Sequence, residues 1–190
     1  MNDSERPSGP RLDLFANPEF SRGASKGKEL CWMLVSGLLV ESWLPGSGWR
    51  RQLLRLFGAK LGTGVVIKPR VRVKFPWRLT IGNHSWIGEE VWIDNLATVT
   101  IGDHCCLSQG AYLCTGSHDW TDRRFGLVTR SIDLEEGCWV GARASLGPGT
   151  HAEPGAVVTM GSVASGRLTA WTVYAGVPAH AAKSRQLRGD

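Results

Sequence analysis

Cysteine is scarce in this 190-residue chain and forms no framework: Cys31, Cys105, Cys106, Cys114 and Cys138 make an odd count with no CxxC spacing. That argues against a disulfide scaffold and for a reducing compartment. Long apolar runs are also missing. The most apolar stretch, residues 29–44 (ELCWMLVSGLLVESWL), is short for a membrane span and carries Glu29 and Glu41. No basic run is interleaved with aromatics, so nucleic acid is not an expected partner. The formal charge of +5 reads as a solvated surface, although it also suits an anionic ligand or membrane. The opening residues, MNDSERPSGP, are acidic and polar, unlike a secretory signal, and the expected location is cytoplasmic.

What the chain does have is a six-residue stutter between residues 61 and 163. Leu61, Ile67 and Val73, then after a slip of two Ile81, Ile87 and Ile93, share the first slot of hexads. The count slips by two and resumes at Ile101, Leu107 and Leu113, then after a longer break runs through Leu134, Val140, Leu146, Ala152 and Val158. Four places after each comes a residue that is usually small, as at Ser85, Ala97, Cys105, Ala111, Ser117, Cys138 and Ala144. Gly fills the second slot at 62, 82, 88, 102, 141 and 147. Six fits neither strand alternation nor the helical period, so a stacked repeat is expected. A parallel β-helix satisfies it: each hexad is a short strand plus a corner, and the stacked coils bury one continuous aliphatic core. The glycines are expected to relieve backbone strain at the corners. A β-sandwich with loose repeats is the alternative fold.

The segments WIDNLATVTIGDHCCLSQGAYLCTGSHD, WVGARASLGPGT and YAGVPA resemble the hexapeptide-repeat acetyltransferases of colanic acid and exopolysaccharide biosynthesis, kin to the maltose, galactoside and nodulation acetyltransferases. The resemblance covers roughly residues 50–183 and implies an all-β, left-handed parallel β-helix with three hexads per coil. It also implies a homotrimer with active sites between subunits, and acetyl transfer from acetyl-coenzyme A to a sugar hydroxyl, on a free or lipid-linked saccharide. A short basic helix is expected to close the chain.

Three regions follow from this division: an arm and helical segment over residues 1–60, the β-helix over 61–166, and a tail over 167–190. Residues 1–28 read as a poorly ordered arm. The apolar stretch at 29–44, ended by Pro45–Gly46, and the following WRRQLLRLFGAKLG are helical candidates. Their functional reading is a peripheral contact with the inner leaflet through Arg50, Arg51 and Arg55; their structural reading is a cap over the first coil's open edge. The repeat is broken once, by an excursion loop at 118–133, which is where function is expected to sit. Trp86, Trp92 and Trp139 precede hexad aliphatics and should point outward, where a neighbouring subunit or ligand can cover them.

His118, at the mouth of the excursion, is the candidate general base, because histidine titrates near neutrality. The resemblance supports it, since TGSHD matches the segment holding the family's catalytic histidine. Asp119 is a weaker candidate for orienting the ring, and Cys114 an alternative nucleophile. The resemblance also carries acceptor contact to Asn95, with Asp94 second. It lines the cofactor groove with Ala142, Met160, Gly161 and Ser165, Met160 replacing a small residue. His180 and Lys183 stand where relatives place two arginines near the coenzyme phosphates; Arg167 and Arg185 are possible substitutes. His84 and His104 should stack on one corner and raise a zinc, carbonic-anhydrase-like alternative. A site of that kind needs three converging ligands, so no metal is expected. A non-catalytic scaffold, or an acetyltransferase of small xenobiotics, are the other readings left open.

Overall fold

The computed structural model describes residues 9–188. Each hexad aliphatic turns into the axis of a left-handed parallel β-helix with three faces. On the first face Leu61 lies below Ile81, then Ile101, Leu134, Ala152 and Leu168. The second face stacks Ile67, Ile87, Leu107, Val140, Val158 and Tyr174. The third stacks Val73, Ile93, Leu113, Leu146 and Ala164. All are buried except Leu61, which is half-buried at the open end. Strands of two or three residues bury little alone; the ladder of coils supplies the core.

The second-slot glycines serve a different purpose from the expected one. None of Gly62, Gly82, Gly88, Gly102, Gly141 or Gly147 has a positive φ. Stacking leaves no room for a side chain: a Cβ on Gly82 would sit 2.6 Å from the Asp103 nitrogen and the Gly102 carbonyl carbon of the coil above. The left-handed corners fall elsewhere, some on Gly64 and Gly110, others on Arg70, His84, Glu90, His104 and Arg143. Gly82→Ala should therefore push two coils apart at a cost of about 2 kcal/mol. A calorimetric melt should register this as a drop of roughly 6 °C, and an unchanged Tm would contradict the close approach.

Helix α1 (Lys26–Val35) starts at Ser25, whose hydroxyl accepts the Lys28 N–H, and loosens into a π turn at Ser36–Val40. Although apolar nearly all round, it buries one stripe only: Trp32, Ser36 and Val40, four residues apart. Helix α2 (Gly48–Leu56) buries Arg50 and Leu54 and leads to Phe57, against which Trp32 packs with ring centroids 5.1 Å apart.

The arginines settle what this unit does. Arg50 is wholly buried and donates to four carbonyls, those of Val40, Ser42, Leu44 and Gly46. Arg51 donates to Val65 O, and Arg55 to Leu61 O and Gly62 O. The Ile67 N–H donates to the Ser47 hydroxyl. The Arg50 bonds hold the helical unit together, while Leu61, Gly62, Val65 and Ile67 are backbone groups of the first coil, which has no coil beneath it to pair with, so the helices cap an open edge. Burial removes Arg50 from a membrane-facing cluster with Arg51 and Arg55, and the bonds of all three support the cap.

The ends differ from expectation as well. Residues 1–8 lie outside the described residues, but the arm beyond them is tied down: Trp77 Nε1 donates to Arg22 O, and Arg78 to Ser21 O. The tail forms no short helix among the described residues. After Thr172–Gly176 the chain turns at Gly176, φ +103°, and returns as the antiparallel strand Ala179–Ser184. A free strand edge is a stronger template for this segment than helical propensity.

Candidate active site

The excursion loop is a hairpin. Strand Gly116–His118 pairs antiparallel with Leu127–Thr129, and His118 faces Leu127 in register. The imidazole stacks on Phe125, centroids 4.4 Å apart and planes within 6°, and its Nδ1 lies 2.8 Å from the Phe125 carbonyl oxygen. A carbonyl only accepts, so Nδ1 carries the proton and Nε2 is the basic nitrogen. Phe125 holds a left-handed backbone, φ +50°, which costs a non-glycine residue about 1 kcal/mol. That conformation aims its carbonyl at the ring.

Asp119 does not orient the imidazole. Its carboxylate accepts from the Thr121 N–H and hydroxyl, and those bonds hold its pKa below the usual range. His118 instead shares a cavity of about 410 Å³ with Trp120, Arg130, Pro148 and Ser165. The structure thus brings His118 and Ser165 together, on the corner between the third and first faces.

Asn95 turns the other way. It is fully buried, its Oδ1 accepting the Phe75 N–H at 2.9 Å and its Nδ2 donating to Phe75 O at 2.7 Å. The two-residue slip in the hexad count explains this: the inward positions of the third face extend to Phe75, Asn95 and Thr115, where Ala97 and Ser117 would otherwise point in. Both ends of the Asn95 amide are thus engaged by the Phe75 backbone. Asp94, one residue earlier, points away from the core on the same edge as the hairpin but is largely covered, its side chain 14% exposed and its Oδ1 buried. Its Oδ1 lies 3.1 Å from Lys74 Nζ yet accepts no hydrogen bond of good geometry, and its Oδ2 accepts from Tyr112 at 3.3 Å. Burial, with Cys114 and Asp94 alongside, raises the Tyr112 pKa well above its ordinary value, so the hydroxyl stays a donor. Cys114 donates to Gly116 O, which is a structural contact.

Ala142, Met160 and Gly161 meet on another corner, between the second and third faces, with the Gly161 N–H donating to Ala142 O at 2.9 Å. Met160 is 76% exposed. Lys183 and His180 lie on the exposed final strand. Arg185 Nη1 donates to Gly137 O and Gly155 O, and Arg167 Nε donates to Glu153. His84 and His104 stack at 5.4 Å on the corner between the first and second faces. Among the described residues no three His, Cys, Asp or Glu side chains converge as a metal site. Sequence reasoning missed Phe125, Tyr112 and Lys74. Only the Phe125–Gly126 pair inside the excursion carried a turn signal.

No family model matches the chain. A chain of Escherichia coli K12 named as a colanic acid biosynthesis acetyltransferase, WcaF, is 38% identical over 176 residues, covering 92% of this chain and 96% of the relative. This chain belongs to the hexapeptide-repeat acetyltransferases. The same fold recurs in the hexapeptide-repeat acetyltransferase VCA0836 of Vibrio cholerae O1 biovar eltor, solved with acetyl-coenzyme A. The two superpose with a TM-score of 0.79 at 22% identity, covering 92% and 97% of the chains. A galactoside acetyltransferase in complex with coenzyme A gives 0.74 at 21% identity, covering 86% and 85%. The acetyltransferase described here has no helix long and apolar enough to cross a membrane among its described residues.

Proposed function

We propose that this acetyltransferase moves acetyl from acetyl-coenzyme A to a sugar hydroxyl in exopolysaccharide assembly, with His118 as general base. The observation that carries the reading is the tautomer imposed on His118 by the Phe125 carbonyl, which leaves Nε2 basic beside a cavity. Nε2 takes the hydroxyl proton as the sugar oxygen attacks the thioester carbon, and backbone N–H groups brace the oxyanion. The C–S bond then breaks and the imidazolium returns the proton to the coenzyme thiolate. The names of the colanic acid and galactoside relatives support a sugar acceptor, and the coenzyme complexes support the donor. Asp94 is the acceptor contact we favour, because the Asn95 amide is bonded to the Phe75 backbone while Asp94 Oδ1, though buried, has no hydrogen-bond partner.

A homotrimer completes this reading. His118 and Ser165 occupy one corner of the prism, while Ala142, Met160 and Gly161 occupy the next. A cofactor groove lined by all five needs one corner from each of two chains. Trp86 and Trp139, 56% and 47% exposed on the second face, are surfaces that such an interface covers.

A lipid-linked acceptor fits the cleft of about 430 Å³ between α1 and the third face. Trp32, Phe75 and Trp77 form its apolar wall, and Lys74, the partner of Asp94, lies at its rim. Any peripheral membrane contact then falls to the exposed Leu30, Met33, Leu34 and Leu38 of α1 and its π turn. Vesicle flotation checks that contact.

The reading as a whole is tested by thiol release from acetyl-coenzyme A across a panel of sugars, nucleotide sugars, lipid-linked saccharides and small aromatic amines, with light scattering on the same sample. Sugar-dependent release by a particle of about three chains is the expected result. Release only with amines, or full activity in a monomer, would overturn it.

A further inference from the structure

We infer that the N-terminal arm is a working part of this active site and that Phe15 is a positioning residue for His118, an inference that rests on His118 being the base. The hairpin carrying His118 stands outside the coil stack and is held by three register pairs, and an isolated two-stranded hairpin is marginal in water. Phe125, which orients the ring, belongs to the same loop and moves with it, so it cannot fix the imidazole relative to the β-helix.

The arm supplies that link. The Arg11 N–H donates to Arg123 O at 2.7 Å, and the Leu127 N–H donates to Asn17 Oδ1 at 3.2 Å, so residues 11–17 are stitched to the loop at two points. Between the stitches Phe15 meets His118, ring centroids 5.6 Å apart and planes tilted by 53°. Further along, the arm is bonded to the first coil through Arg22 O and Trp77 Nε1. One continuous segment therefore joins the loop of the third coil to a corner of the first, and Phe15 is its contact with the imidazole. Phe15 is 41% exposed and outside the core, so its removal takes little from the fold.

Two measurements test this, with acetyl-coenzyme A and methyl β-galactoside as the probe substrates. Phe15→Ala should lower kcat about tenfold, since small misplacements of a catalytic group are costly, with KM for acetyl-coenzyme A and the melting curve unchanged; Phe15→Tyr should restore the rate. In a His118→Ala background Phe15→Ala should cause no further loss, because it acts through the absent ring. An equal further loss there would overturn the positioning role. The second measurement needs no turnover: NMR relaxation dispersion of the His118 ring should show a single fixed ring in the wild type and exchange between positions in Phe15→Ala, with the Nδ1–H tautomer set by Phe125 kept in both. A ring equally fixed in both proteins overturns the inference. Undiminished activity in His118→Ala would instead remove the base assignment and leave the spectrum to judge the arm.

Discussion

His118→Ala should retain the fold and coenzyme binding while turnover falls by about 10²–10⁴, the usual worth of a general base. This corresponds to about 3–5 kcal/mol of transition-state stabilisation. The fold should survive because His118 sits on a hairpin outside the coil core, and the nearest ladder residue, Leu113, keeps its stack between Ile93 and Leu146. Coenzyme binding should survive because the groove we propose also draws Ala142, Met160 and Gly161 from another corner. The residual rate comes from approximation of the two substrates and from backbone donors to the oxyanion. Steady-state kinetics with thiol detection and a binding titration with coenzyme A make the comparison. A variant that turns over at the wild-type rate would remove His118 from the chemistry. One that no longer binds coenzyme A would mean that the hairpin shapes the groove and that its contribution is not that of a base alone.

The second large effect is expected far from the site. Arg50→Met should destabilise the protein by about 3 kcal/mol, because it strips donors from four carbonyl oxygens that converge on one buried guanidinium. For a chain of this size that is a fall in Tm of roughly 9 °C. Burial lowers the Arg50 pKa, but the side chain keeps its charge, since the π turn ends in carbonyls that favour a cation. Arg50→Lys should rescue little: an ammonium cannot spread its donors over the arc that the Nε, Nη1 and Nη2 atoms span. Arg55, exposed and bonded to two carbonyls at the rim, should cost less than about 1 kcal/mol when replaced by Ser. Differential scanning calorimetry of the three variants separates these outcomes. If Arg50→Met melted with the wild type, the cap would not depend on this residue.

The repeat, the fold class and the excursion that carries His118 were legible in the chain itself, and for one reason. A β-helix repeats the same local decision in every hexad, so Ile81, Ile101 and Leu134 announce their stacking by spacing alone, and an excursion such as that at His118 stands out against the period. Cys105 and Cys138 were legible as small core residues by the same rule, and both are buried. Tertiary structure alone decided the rest. The direction of Asn95 depended on a two-residue slip, which shifts a side chain between core and surface without changing the composition. The task of the second-slot glycines depended on the distance between coils, and that of Arg50 on where the π turn left its carbonyls. The tail became a strand because an unpaired edge lay within reach. Phe15 reached His118 across a hundred residues of sequence, and no local pattern encodes such a contact, because it exists only after the coils have stacked and brought the first coil's corner beneath the loop of the third.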